Sequence, residues 1–197
     1  MKLATFKVEG VSDFMFGKAV LDPKKNNETD QVREKRVWKK KVHVSDGGQL
    51  FIQPFAFKNG FESAGKWLSE KITGGAGGGG KKTYTDRFRK GILVTEKVEL
   101  ESNDGEPLTI KDIDPLELFV SSTGVRGSGK RVVKVFPTIY EWCGRVQIMV
   151  FDDLLTADVI ERHAVAFGQF IGLGSMRVEN GGINGRFRVK EFEMADM

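Results

Sequence analysis

Apolar residues alternate with polar residues in three segments of the chain, and residues 131–136 form a fourth strand-like segment that Pro137 closes or bends. Over residues 3–9, for example, Ala4, Phe6 and Val8 fall on one face of an extended backbone and polar residues fall on the other. Successive side chains of a strand point to opposite faces, so this alternation predicts strands that are buried on one side. The predicted strands comprise residues 3–9, 131–136, 145–151 and 185–192.

Two further segments carry apolar residues at the spacing of a helix. Pro54 suits the first turn of one helix, because the N–H that it lacks would have no partner there. Thr156 can cap the N-terminus of the other helix, and Gly172 or Gly174 can end it. The apolar stripes are Phe57, Phe61, Ala64, Leu68 and Ile72 in the first helix, and Ile160, Ala164, Phe167 and Ile171 in the second.

The order of these elements is strand, helix, strand, strand, helix, strand. This βαββαβ order predicts an α+β fold with a ferredoxin-like core, the order that RNA-recognition modules also use. We predict one domain over residues 1–197, in which two large basic insertions, 10–53 and 73–130, interrupt the core.

Each insertion has a predicted organisation of its own. The first is predicted to be a basic hairpin, because a strand-like segment is followed by Asp46-Gly47-Gly48, a strong turn signal, and by a second apolar run. The second is predicted to hold a loop, a basic arm, short strands and an acidic segment. The ranges are 36–44 and 49–52 for the hairpin strands, 74–80 for the glycine-rich loop, 81–90 for the arm, 91–95 and 97–100 for the short strands, and 96–117 for the acidic segment.

The composition limits the class of protein. The chain has 197 residues, of which 40% are hydrophobic, and this is enough to bury a sizeable core. No stretch is long and apolar enough for a membrane span, and the charged, alternating N-terminus is unlike a signal peptide. A single cysteine, Cys143, excludes an internal disulfide and indicates a reducing, cytoplasmic location. One cysteine and two distant histidines argue against a metal site, and we expect no cofactor.

The charge is unevenly distributed although the net charge is only +4. Basic residues concentrate in 24–41, 81–90 and 126–134, whereas 96–117 is acidic. This pattern favours one surface that faces a polyanion and a separate acidic surface, which can also dock the basic surface of a second copy. Any one of these blocks can equally be a solvated face without a partner.

A glycine-rich segment with three arginines, residues 171–189, lies between the second predicted helix and the last predicted strand. Glycine permits a positive φ and a close approach of another backbone. The N–H groups of such a turn can form an anion-binding concavity, in which Gly172, Gly174 and Arg177 would hold a phosphate. The alternative is a long turn with a basic strand behind it.

Signals for catalysis are weak. Residues 75–81 and 124–130 have the spacing of a phosphate-binding loop, but Lys82 and Arg131 stand where a Ser or Thr would bind magnesium. His43 lies in a basic segment and could act as a general base in RNA cleavage. For His163 a structural role is the simpler interpretation, and we predict no catalytic residue.

The basic blocks fit binding better, because they interleave aromatic residues with cations. Stacking on bases combined with charge on phosphates is how single strands are held without sequence readout. Trp38 and Phe88 can instead be core residues. The predicted nucleic-acid-binding residues are Arg36, Trp38, Lys39, Lys40, Lys41, Lys81, Lys82, Tyr84, Arg87, Arg89, Lys130, Arg131, Gly172, Gly174 and Arg177.

The element order and the glycine segment together resemble the RAMP superfamily, the repeat-associated proteins of CRISPR effector complexes. The family hallmark is an apolar-Gly-x-Gly sequence, a spacer and a second glycine cluster between the last helix and the last strand. Here Ile171-Gly172-Leu173-Gly174 is followed, after a longer spacer, by Gly182 to Phe187. The insertions look like the web and thumb elements of the backbone subunits of that family, which polymerise along a guide RNA. The chain also looks similar to small proteins that bacteriophages encode.

The resemblance implies a non-enzymatic protein that binds single-stranded RNA or DNA in a bacterial or phage-infected cell and assembles as a homo-oligomer or filament along the strand. An alternative is an oligomeric phage structural or interaction protein, whose basic and acidic faces bind copies of itself or a host factor. A second alternative is a metal-independent RNase that uses His43. The sequence leaves the choice between RNA and DNA open.

Overall fold

The computed structural model describes residues 1–72, 82–122 and 129–197, which form nine strands and four α-helices. The strands are β1 (Lys2–Gly10), β2 (Phe14–Met15), β3 (Phe51–Ile52), β4 (Ile92–Val94), β5 (Val98–Glu99), β6 (Asp114–Ser121), β7 (Arg131–Ile139), β8 (Cys143–Val150) and β9 (Phe187–Asp196). The α-helices are α1 (Asp30–Val37), α2 (Pro54–Leu68), α3 (Thr85–Gly91) and α4 (Ala157–Ala166). Short helical turns cover Trp38–Lys41, Phe167–Ile171 and Val178–Asn180.

A four-stranded antiparallel sheet with the order β4-β8-β1-β9 forms the centre of the fold. β1 and α2 precede β4, and β8 and α4 precede β9, so the chain follows the predicted βαββαβ order. Both helices pack on one face of the sheet, where Phe6 of β1 meets Phe61 of α2 at 6.3 Å between ring centres. The predicted α+β, ferredoxin-like fold is therefore confirmed.

The second strand of the core was predicted at 131–136, and this placement is wrong. The position belongs to β4, where Ile92 pairs with Val150 of β8. β7 instead pairs with β6 and β2 in a separate three-stranded sheet. The short strand predicted at 91–95 thus exists, but it is part of the core and not of an insertion. Three residues are too few to show a periodic pattern, whereas β7 is a nine-residue strand that does not join the core sheet.

The predicted strand at 36–44 is also wrong, because residues 36–41 lie in α1 and in the helical turn that follows it. The Thr29 side chain accepts a hydrogen bond from the Val32 N–H and so caps the helix. Only Val37 of α1 is buried, so the helix lacks the apolar stripe that would reveal it in the sequence.

The turn of the predicted hairpin and the segment that follows it are present. Val44 pairs with Leu50 across the turn, and the Gly48 N–H donates to the Ser45 carbonyl at 2.9 Å. The first insertion is therefore a helix followed by a tight turn and not a two-stranded basic hairpin.

Both core helices agree with their sequence signals. Pro54 occupies the first turn of α2, and Phe57 and Phe61 are fully buried. The Thr156 side chain accepts from the Val159 N–H at the start of α4. Gly172, with φ of +74°, ends the helical turn that continues α4.

Within the described residues, no helix is both long and apolar enough to cross a bilayer. The same residues contain no group of three or more histidine, cysteine or acidic side chains placed to hold a metal ion.

Candidate nucleic-acid interface

A cleft of about 480 Å³ opens beside the N-terminal half of α2. Three segments form its walls, namely α2 with the preceding Gln53, residues 14–19, and residues 171–179 of the glycine-rich segment. The polar lining includes two cations, Lys18 and Arg177, and two amides, Gln53 and Asn59. A concave site with a few convergent polar groups on a largely apolar wall is typical of ligand binding.

The glycine-rich segment shapes one wall through close backbone contacts. Gly172 and Gly174 have φ of +74° and +76°, and both line the cleft. A Cβ on Gly174 would lie 2.5 Å from the Met15 carbonyl oxygen, so only glycine allows this approach. The Gly172 N–H donates to the Phe167 carbonyl at 2.9 Å. Gly172 therefore contributes shape to the cleft, and its N–H is already used within the fold.

Arg177, the predicted phosphate ligand, faces the cleft together with an acid. Its Nε and Nη2 donate to Glu179 Oε2 at 3.0 and 2.8 Å. Burial alone would raise the pKa of Glu179, but hydrogen bonds from Ser63 and Arg177 outweigh it and hold this pKa below its usual range. Arg177 thus presents a positioned guanidinium, part of whose charge Glu179 balances.

His43 also lines the cleft. Its Nδ1 lies 3.2 Å from Gln53 Nε2, and its ring centre is 5.5 Å from that of Phe51. Burial, followed by the charge of Lys18, lowers the pKa of His43 below its usual range. The imidazole is therefore neutral near pH 7 and is held by its neighbours.

A second cleft, of about 470 Å³, shares Lys18 and Ala19 with the first and is also lined by Lys39 and Lys40. The Lys39 ammonium lies 5.4 Å from the centre of the Trp38 ring, while Lys40 pairs with Asp22. Two of the predicted residues, Lys39 and Lys40, thus line a cleft that adjoins the first through Lys18, and Trp38 lies beside Lys39.

Two other members of this block are engaged in structural pairs. Arg36 donates to both carboxylate oxygens of Glu28, at 2.7 Å each, and holds the pKa of Glu28 at about 2. Lys41 pairs with Glu34 and donates to the Val135 carbonyl at 2.8 Å. Arg36 therefore closes the preceding loop onto α1, and Lys41 ties the helical turn after α1 to β7.

The predicted basic arm at 81–90 is largely the helix α3, whose aromatic residues pack inward. Phe88 is fully buried and stacks on Phe61 with 5.3 Å between ring centres, so its interpretation as a core residue is confirmed. Tyr84 is half-buried, with its ring centre 5.4 Å from that of His163. Lys81 lies outside the described residues.

The cations of α3 are paired with acids. Arg87 contacts Asp152 at 3.0 Å. Arg89 contacts Glu62 at 2.6 Å and Asp86 at 3.2 Å, and its hydrogen bond holds the pKa of Glu62 at about 2. These two arginines attach α3 to its neighbours, and neither lines the two clefts described above.

Lys82, Lys130 and Arg131 are exposed and lie apart from both clefts. Lys130 and Arg131 lie at the start of β7, at the end of the β6–β7 hairpin where Arg131 pairs with Ser121. Of the predicted residues that the structure describes, Gly172, Gly174 and Arg177 line the first cleft, Lys39 and Lys40 line the second, and the others line neither, so they do not form one surface.

Sequence reasoning missed several polar residues of the first cleft, namely Lys18, Gln53, Asn59 and Ser63. The one available signal was the spacing of Asn59 and Ser63, which puts two uncharged polar side chains on one flank of the helix. Lys18 and Gln53 reach the cleft only through the tertiary fold.

The fold is similar to that of one chain in the cryo-EM structure of the Type III-B Cmr-beta bound to cognate target RNA. The TM-score is 0.52 at 11% sequence identity, and the match covers 99% of the present chain and 61% of the other. No protein-family model and no curated protein matches the sequence. The structural likeness shows a shared fold, and the resemblance to the RAMP superfamily stays a prediction from the sequence.

Proposed function

We propose that the protein binds single-stranded nucleic acid, RNA in the first place, along the two joined clefts and without catalysis. The observation that carries the proposal is the continuity of the clefts, because Lys18 connects the α2 cleft to Lys39 and Lys40. The Cmr-beta complex that shares the fold is bound to RNA, and this favours RNA over DNA.

The chemistry of the clefts fits a strand whose backbone is held by charge. Lys18 and Lys39 can neutralise phosphates, whereas Lys40 is paired with Asp22. The Gln53 and Asn59 amides can hydrogen-bond base edges or sugars. Each phosphate contact that binding makes releases counterions, so the affinity should fall steeply as salt rises.

An anisotropy titration with a labelled oligouridylate of about 12 nucleotides tests the proposal at about 50 and about 200 mM salt. Lys18→Gln and Lys39→Gln should each weaken binding and lower the salt slope by about one. Arg145→Gln is the matched control, because Arg145 is exposed on the sheet face opposite the helices. Absence of binding at low salt, or equal effects of all three variants, would contradict the proposal.

We further propose that copies assemble along the strand. The β6–β7 hairpin projects little-buried residues, among them the exposed Phe119, and can contact a neighbouring copy. Light scattering should show a growth in mass that depends on the length of the added RNA. The bacteriophage origin and the cytoplasmic location remain predictions from the sequence.

A self-interacting protein that uses its acidic and basic faces is the alternative. This alternative would be favoured if the protein assembles without nucleic acid and if the Lys18→Gln variant forms assemblies of the same size. The exposed acids at Asp112, Asp114 and Glu117, which precede or lie within β6, are the observation on which it rests.

An RNase is the second alternative, because His43 lies in the proposed RNA cleft. A neutral imidazole there could remove the proton of a 2′-hydroxyl, which would attack the adjacent phosphorus and expel the 5′-oxygen. Cleavage of a labelled hairpin RNA by the wild type, and its loss in His43→Ala, would establish this activity.

A further inference from the structure

Trp67 of α2 and Phe170 of the turn after α4 form a stacked aromatic pair at the surface. Their ring centres are 5.4 Å apart and the rings are inclined by 26°. Trp67 is 61% exposed and Phe170 is 42% exposed. The stacked pair Phe61 and Phe88, by contrast, is fully buried. Core packing therefore does not account for the exposed pair.

The pair continues the wall of the α2 cleft. Asn59, Ser63 and Trp67 are spaced by four residues and so share one flank of the helix. Asn59 and Ser63 line the cleft, and Trp67 follows one turn later, about 6 Å along the axis. Phe170 directly precedes Ile171, which also lines the cleft. The two aromatic residues thus stand where the cleft ends.

The surroundings of the pair are charged. Lys66 adjoins Trp67 in the chain and lies close enough to Glu179 to favour its ionised form. Glu70, three residues after Trp67, accepts hydrogen bonds from Arg162 of α4. Two rings bordered by charges offer far less apolar area than the roughly 800 Å² per partner of a stable protein interface. A single flat ring fits this small surface better, because one stacked base needs only the face of one ring.

We propose that the Trp67–Phe170 pair binds one unpaired nucleobase by stacking, at the end of the α2 cleft. The inference rests on the proposed function, since the cleft must hold the backbone that carries the base. Aromatic stacking tolerates every base, so the site adds affinity without selecting a sequence.

The test compares Trp67→Ala, Trp67→Phe and Phe170→Ala with the wild type. The probe is the labelled oligouridylate of about 12 nucleotides and an abasic strand of the same length. Trp67→Ala should weaken binding of the oligouridylate about tenfold, and Trp67→Phe should retain most of the affinity. Binding of the abasic strand should be the same in all variants. Phe151→Ala is the matched control, because Phe151 is 53% exposed, directly follows β8 and lines neither cleft.

A second readout uses the indole fluorescence. Trp142 is fully buried and Trp38 is half-buried, so a stacked base should quench mainly Trp67. The quenching should disappear in Trp67→Phe, which preserves an aromatic ring and therefore the fold.

Three results would overturn the inference. If the wild type binds the oligouridylate and the Trp67 and Phe170 variants bind equally well, the pair is not a stacking site, while the proposed function stands. If the wild type binds neither strand, the proposed function and the inference fail together. If Trp67→Ala changes the mass measured by light scattering without RNA, the pair is a contact between copies of the protein.

Discussion

The Leu173 N–H donates to the Gly185 carbonyl at 3.0 Å, and a Cβ on Gly185 would lie 1.9 Å from the Leu173 carbonyl oxygen. The two arms of the glycine-rich segment therefore run backbone against backbone. This contact fixes the wall of the α2 cleft, which Leu173 also lines. The first role of the glycines in this segment is therefore to shape the cleft, and contact with a ligand is secondary.

Gly185→Ala should destabilise the fold by about 3 kcal/mol, because it combines a positive φ with a collision against backbone. Gly105→Ala is the matched control. Gly105 also has a positive φ, of +87°, but a Cβ there meets nothing within 4 Å, so about 1 kcal/mol is expected. Urea unfolding measures both. Equal losses would mean that the close contact between the two arms is not maintained.

Arg36 and Lys39 lie three residues apart and should respond to substitution in opposite ways. Arg36→Gln removes the partner of Glu28 and should lower the thermal midpoint while leaving the affinity for RNA nearly unchanged. Lys39→Gln should do the reverse, because Lys39 lines the second cleft. A large loss of RNA affinity in a folded Arg36→Gln variant would contradict this separation.

The stabilisation by the Glu28–Arg36 pair should depend on pH. The folded pKa of Glu28 is about 2, below its ordinary value of 4.5. The contribution is therefore complete above about pH 4.5 and is lost as the pH falls towards 2. The difference in unfolding free energy between the wild type and Arg36→Gln should shrink over this range, whereas a constant difference would show that the pair does not form.

His163 should make the fold sensitive to mild acid. The ring is fully buried, and its Nδ1 lies 2.7 Å from the Val159 carbonyl oxygen. No partner for Nε2 is found among the described residues. Burial lowers the pKa of His163, and the Val159 carbonyl and the charge of Glu70 offset this in part, while Arg162 adds to it.

The unfolded chain therefore binds more protons than the folded chain below about pH 6.5, and the unfolding free energy should fall as the pH drops from that value. His163→Phe should flatten the dependence between about pH 6.5 and 5, since a ring is kept against Tyr84 and Phe88. His43→Gln is measured in parallel, because the lowered pKa of His43 contributes to the same pH dependence and has to be separated from the contribution of His163. A pH dependence unchanged by His163→Phe would refute the assignment.

The elements that were predicted correctly from the sequence are those that bury a continuous apolar stripe. The helices α2 and α4 carry such stripes, and their first turns bear Pro54 and Thr156, so they could be placed closely. The helix α1 could not be found in this way, because it buries only Val37. The strand β4 is recognisable as a core strand only when its pairing with β8 is known.

The candidate site was harder to predict than the fold. The sequence shows where cations are concentrated but not which acids neutralise them. Arg36, Lys41, Arg87 and Arg89 all pair with acids, and three of those pairs join different elements. The cleft itself brings together segments that are far apart in the chain, such as Lys18 and Arg177, and no local pattern indicates that meeting.

Photocrosslinking tests the central claim most directly, namely that a single strand lies along α2 and the glycine-rich segment. An oligouridylate that carries 4-thiouridine would be crosslinked to the wild-type protein, and the modified peptides would be mapped by mass spectrometry. The account predicts crosslinks in residues 53–67, in 170–179 and near Lys18. Crosslinks confined to the open face of the central sheet or to the β6–β7 hairpin would contradict it.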